Sequence, residues 1–244
     1  MSSAMSRGLT VGVAAESHER FRLGYPDEVV DRTLRFVGRR VTDAVEVGAG
    51  TGKATRAFAS RGITVQALEP DPHMFGVLRR ETVGMSVRPV LLDLESYLGP
   101  RTDLVYAASS WHWTDPETRA GHAARLLTDG GVLAVFDSPM TVADPRLRDL
   151  VAAVAGSTLD EPVPDVADEL RSSGKFAEVV HVLLDRRMVL PKREYVGYLT
   201  TLPPFLLLTT EQRQDLLRGV VEVVPDQVPV DLTVGLHLAR RRVG

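Results

Sequence analysis

The chain of 244 residues contains no cysteine, which excludes disulfides, thiolate metal sites and cysteine nucleophiles together. An excess of charge is also missing, since 29 Lys and Arg residues stand against 32 Asp and Glu for a net charge of -3. Binding to a phosphate backbone favours a basic surface, so nucleic acid is not an expected partner. Short basic runs such as Arg240-Arg241-Arg242 read as a solvated strand end. No stretch approaches the roughly 20 apolar residues of a membrane span, and no apolar h-region opens the N-terminus. The expectation is a cytoplasmic, unexported protein without a membrane partner. Ligand spacing is absent as well: His18, His73, His112, His122, His181 and His237 form no H-x-x-x-H or similar pattern, so no metal is expected. With 44% hydrophobic and 25% charged residues, the composition is that of one ordinary α/β domain with a sizeable core.

The most informative stretch is Val45-Glu46-Val47-Gly48-Ala49-Gly50-Thr51-Gly52-Lys53. A short apolar strand runs into a loop with glycine at every second place, and a helix follows. Glycine permits backbone angles closed to other residues and lets a ligand approach the main chain. The dinucleotide pattern G-x-G-x-x-G fails, because its last place holds Lys53 counted from Gly48 and Thr55 counted from Gly50. A P-loop fails too, with Val47 and Ala54 where glycine and Ser or Thr are needed. Downstream, the strand 63–68 ends in Glu69-Pro70, and Asp71-Pro72 opens a helix carrying Met74. A third strand, 86–92, contains Pro89, which suits an edge position, and ends in Asp93-Leu94.

Glu46-x-Gly48-x-Gly50-x-Gly52 resembles the first motif of class I S-adenosylmethionine-dependent methyltransferases, and Glu69 and Asp93 close the next two strands as in that family. The resemblance implies a doubly wound, mostly parallel seven-stranded sheet with an antiparallel last strand, and S-adenosylmethionine as cofactor. It places Glu46, Gly48, Ala49, Gly50 and Gly52 at the cofactor, with Glu69 and Pro70 at the ribose. Met74, Asp93 and Leu94 go to the adenine, and Ser109 is a further contact. Met74 reads equally well as core packing. The stretch Arg22-Leu23-Gly24-Tyr25-Pro26 is similar to an arm that folds over the cofactor in small-molecule members. A hydrophobic staple is its bland alternative.

The remaining chain gives a single domain in four parts: an N-terminal arm over 1–35, with 1–14 weakly patterned and expected to be mobile, a cofactor-binding core over 36–137, a helical insertion or lid over 138–174, and strands and helices over 175–244. The fourth strand, 103–108, leads into Ser109-Ser110-Trp111-His112-Trp113, and Asp115-Pro116 is expected to open a helix closed by Gly130-Gly131. A fifth strand covers 132–136. One strand is expected over 179–190, helices over 191–204 and 209–224 with a Thr209-x-x-Gln212 capping box, and one final alternating strand from Val230 to Ala239.

His112 lies in a loop facing the cofactor and is the candidate general base, since a neutral imidazole can take a proton from a hydroxyl or ammonium nucleophile. Packing between the tryptophans is its alternative. Tyr25, Trp111, Trp113 and Phe205 are the expected pocket lining. Ala107-Ala108-Ser109-Ser110 stands where base-methylating enzymes carry Asn or Asp before Pro-Pro-Tyr, so a nucleobase acceptor is disfavoured. A small-molecule acceptor is expected. A macromolecule-directed enzyme and a non-catalytic cofactor-binding protein are the other readings, and monomer and homodimer both remain open.

Overall fold

In β1 (Asp43–Val47), Ala44, Val45, Glu46 and Val47 are all buried, so this strand is covered on both faces and lies in the interior of the sheet. The computed structural model describes residues 14–149 and 165–243. β2 (Thr64–Leu68) and β4 (Thr102–Ala108) flank β1 in parallel. β3 (Val87–Val90) lies outside β2, where Pro89 occupies an edge that needs no donor on its open side. β5 (Leu127–Asp137) is parallel to β4, and β10 (Val234–Arg241) enters antiparallel between β5 and β7 (Phe176–Leu184). The order is therefore β3-β2-β1-β4-β5-β10-β7, the expected seven-stranded sheet.

Helices cover both faces. On one side α2 (Asp27–Val37), α3 (Lys53–Ala59) and α4 (Pro72–Glu81) pack over Phe58, Tyr106 and Phe136, with the Phe58 and Tyr106 rings stacked at 4.1 Å. On the other, α5 (Arg119–Leu126) and α6 (Val166–Ser172) bury Leu126 and Leu170. An N-terminal helix, α1 (Ala15–Phe21), precedes this layering, and α7 (Lys192–Leu199), α8 (Pro203–Leu207) and α9 (Thr210–Val223) follow it. The Thr209 and Gln212 capping box of α9 is present as expected.

The structure corrects several boundaries. The strand expected over 179–190 is two, β7 and β8 (Arg187–Pro191), and the final strand is also two, β9 (Gln227–Asp231) and β10. Both breaks feed a second sheet of order β6-β9-β8, with β6 at Thr141–Val142. The Asp231 carboxylate accepts from the Thr233 amide at 2.8 Å and its hydroxyl at 2.7 Å, a local turn that interrupts the ladder. Val230, Leu232 and Val234 are all buried across the turn, so alternation runs through it unaltered.

Asp115 caps a turn by accepting from the Glu117 amide at 3.0 Å, and α5 begins only at Arg119 and ends at Leu126, ahead of Gly130-Gly131. The stretch 138–174 is not wholly a helical insertion. It contributes β6, a helix described over 145–149 after Asp144, and α6, which packs on β7 as a layer of the main sheet. Pro203–Leu207 is a third helix where two were expected after β8. The stretch expected to be mobile lies, apart from Ala14, outside the described residues, as do 150–164 of the expected lid.

Candidate active site

β1, β2, β3 and β4 all point their carboxyl ends the same way, so their closing residues share one edge of the sheet, where open α/β sheets bind ligands. The glycine loop leaves β1 with positive φ at Gly48 (64°), Gly50 (58°) and Gly52 (90°). A Cβ at Gly48 would lie 2.6 Å from the Ser110 Cβ, and one at Gly52 2.8 Å from Leu78 Cδ1, so both places require glycine twice over. At Gly50 a Cβ would meet nothing within 4 Å, leaving the main chain open to a ligand.

Glu69, at the end of β2, accepts from the Gly50 amide through Oε2 at 2.7 Å and from the Asp71 amide through Oε1 at 2.8 Å. Burial pushes this carboxyl up to about 7 against the two amide bonds that favour its charge. Each oxygen keeps lone-pair capacity, which fits a vicinal diol. Pro70 and Asp71 then turn the chain into α4, with Asp71 accepting from the His73 and Met74 amides. Asp93 is fixed by the Ser96 amide at 2.8 Å, beside the buried Leu94. These groups follow β1, β2 and β3 along one edge of the sheet.

Glu46 is placed differently from a loop-surface contact. Its side chain is buried beneath the loop, accepting from Thr55 Oγ1 at 2.5 Å and from the Tyr106 hydroxyl at 3.1 Å. Burial raises it to about 8. Met74 is buried against Ala15 and Val77 and so joins α4 to the N-terminal helix. The carboxylate of Glu19 in α1 pairs with Arg56 at 2.7 Å, its carbonyl accepts from Lys53 at 2.6 Å, and Glu16 pairs with Arg80 at 2.6 Å. On its other side Phe21 packs on Gly197 of α7, and Arg22 donates to Thr201. The arm thus lies between the glycine-loop helices and α7, and Tyr25 reaches Ser109 with its hydroxyl 2.8 Å from the serine oxygen. Ser109 has φ 53°, the one positive value outside glycine among the described residues. Such backbone concentrates at functional sites.

Trp111–Trp113 form a 3-10 turn. The Trp111 indole, expected in a pocket, is buried in the sheet core and donates to Glu169 at 3.3 Å. The same Glu169 is bonded by Arg119, which also donates to the Trp111 carbonyl at 2.8 Å. Phe205, also expected in a pocket, is buried under the Arg213 guanidinium. His112 is exposed as a residue, but its ring leans on that of the half-buried Trp113, with centroids 4.5 Å apart. Desolvation first, and then the Arg119 charge, hold the imidazole below its ordinary value. Thr55, Tyr106, Arg119 and Glu169 escaped the sequence reading, because they meet only through the fold. Among the described residues no group of three metal-ligating side chains is assembled, and no helix is long and apolar enough to cross a membrane.

A family described as methyltransferase domain matches residues 45–135, from the middle of β1 to β5. Residues 45–135 are thus similar to a methyltransferase domain. An uncharacterized methyltransferase of Mycobacterium tuberculosis, Rv3342, is 38% identical over 138 residues, 54% of this chain and 54% of its own. The chain spans about half the length of the curated relatives it matches. Likeness in fold extends further than the methyltransferase domain match. A protein of Anaeromyxobacter dehalogenans, provisionally described as a type II methyltransferase, superposes with a TM-score of 0.61 at 21% identity over 92% of this chain and 100% of that one. Phosphoethanolamine N-methyltransferase 2 of Haemonchus contortus, solved with S-adenosyl-L-methionine, gives 0.55 at 13% identity over 95% of this chain and 57% of that one.

Proposed function

We propose that this chain transfers the sulfonium methyl of S-adenosylmethionine to a small-molecule acceptor. The observation that carries the reading is the convergence of the open glycine loop, the buried Glu69 and the Asp93 turn on one carboxyl edge. Gly50 leaves room for the cofactor against the main chain, and ionised Glu69 accepts from the two ribose hydroxyls. Asp93 accepts from the adenine amino group. When bound, the cofactor supplies an electrophilic methyl group. The chain contributes position, by holding acceptor and donor collinear, which is worth roughly 7 to 11 kcal/mol in favourable cases. His112 is the general base for an acceptor that must lose a proton, and its depressed pKa keeps it neutral and ready to accept one near pH 7. The balanced charge of the chain favours a small acceptor over a polyanion.

Calorimetry with S-adenosylhomocysteine and NAD tests the assignment. The expected result is binding of S-adenosylhomocysteine alone, weakened at least tenfold by Glu69→Ala, because hydrogen bonds to a charged group are worth about 1.5 to 3 kcal/mol each. Binding of NAD without response to S-adenosylhomocysteine refutes it.

A further inference from the structure

If the cofactor lies on β1, β2 and β3, its acceptor must occupy the neighbouring part of the same edge, above β4 and β5. Ser109, Asp137 and His181 approach that edge from β4, β5 and β7. The Ser109 amide donates to the Phe136 carbonyl at 2.8 Å, which sets Ser109 beside Asp137, the last residue of β5. The Tyr25 hydroxyl is on Ser109 and its ring is edge-on to Phe136 at 4.9 Å, on the face of the sheet opposite the Asp137 side chain. Across the next strand Asp137 stands opposite Gly235 of β10. Gly235 has a negative-φ backbone open to any residue, yet a Cβ there would lie 3.3 Å from Asp137 Oδ1 and 3.6 Å from His181 Nε2. The missing side chain leaves a gap with a carboxylate oxygen on one side and an imidazole nitrogen on the other. His181 is braced from behind by His237, its cross-strand partner, with the rings parallel at 4.1 Å. Asp137 and His181 are both exposed, so the gap opens to solvent.

We infer that Asp137 and His181 bind the nitrogen of the methyl acceptor, which is therefore an amine. This rests on the methyltransferase reading above. Asp137 pairs with the ammonium and the His181 Nε2 lone pair accepts a second N–H, with Ser109 beside Asp137 on the side of the cofactor. One ammonium proton passes to His112, and the freed nitrogen lone pair forms the new N–C bond. The C–S bond breaks with its electron pair left on sulfur. An anionic acceptor would meet the Asp137 charge and is excluded by it.

The test supplies methyl-labelled S-adenosylmethionine and a metabolite extract separated by ion exchange into cationic, neutral and anionic pools. Label is expected in an N-methylated compound of the cationic pool. Asp137→Asn and His181→Ala should each raise KM for that compound at least tenfold, with S-adenosylhomocysteine affinity unchanged by calorimetry, and Asp137→Glu should recover part of the loss. Label confined to the neutral or anionic pool, or no labelled amine while S-adenosylhomocysteine still binds, overturns the amine site alone. Failure to bind S-adenosylhomocysteine would instead overturn the methyltransferase reading.

Discussion

Arg119 and Glu169 form a buried two-pronged pair: Nε donates to Oε1 at 2.7 Å, Nη2 bonds Oε2, and the remaining guanidinium nitrogen holds the Trp111 carbonyl at 2.8 Å. Side-chain exposures of 7% and 14% leave little water to replace a lost partner. The pair ties α6 to the turn that carries His112. Arg119→Ala should therefore cost about 3 to 5 kcal/mol in urea unfolding, because the Glu169 charge is left buried and unpaired. Joint replacement by Met and Leu should recover most of it. Trp111→Ala should likewise lower stability by about 3 to 5 kcal/mol instead of acting on KM alone, since the indole is core. A loss under about 1 kcal/mol in both single variants contradicts this account.

Glu69 links cofactor binding to pH. A carboxyl raised to about 7 is protonated over the range in which an ordinary glutamate is already ionised. Its proton must leave before both oxygens can accept from the ribose diol, so S-adenosylhomocysteine affinity should rise as pH increases through about 7. The sign for stability is opposite. Glu69 and Glu46 hold their protons more tightly folded than unfolded, so folding weakens as pH rises from the ordinary carboxyl range through about 7 and 8. Calorimetry between pH 5.5 and 8.5, conditions chosen to bracket the shift, checks the affinity. A flat profile in the wild type, or the same slope in Glu69→Gln, refutes the link.

The main sheet was legible in the sequence because its information is local. Continuous burial of Val45 to Val47, the glycine spacing and an acid closing each of the next two strands all lie within short windows. The second sheet was not, because the Asp231–Thr233 turn leaves the apolar alternation from Val230 to Val234 undisturbed. The burial of Trp111 was not legible for a related reason. A Trp-His-Trp run says that large aromatics are present but not which one turns inward, and Arg119 and Glu169 decide that from positions 8 and 58 residues away. Asp137 gave no signal at all, since its partners Gly235 and His181 arrive from antiparallel strands late in the chain.

The arm provides a third test. Phe21 packs so closely on Gly197 that any Cβ there would overlap its ring. Gly197→Val should push α1 off α7, while the ion pairs of Glu16 and Glu19 with Arg80 and Arg56 stay possible. We expect hydrogen exchange in 15–26 to speed up in this variant. In the wild type the same amides should gain protection on addition of S-adenosylhomocysteine, as gating elements do. Exchange in 15–26 that is indifferent to both would mean that the arm is a fixed part of the wall.

The last prediction concerns the proton. His112 is held below the ordinary imidazole value, first by desolvation and then by Arg119. A base works in its neutral form, so the rate should rise with pH along a limb that lies on the acid side of about 6.5 and be flat above it. His112→Ala should lower kcat at least tenfold and abolish that limb, with S-adenosylhomocysteine affinity within a few-fold of wild type. Trp113→Ala, which removes the ring against His112, should act mainly on KM while keeping the limb. Positioning of the acceptor is independent of this base, so a His112→Ala enzyme with unchanged kcat and an unchanged acid limb would assign the limb to another group and leave transfer to proximity alone.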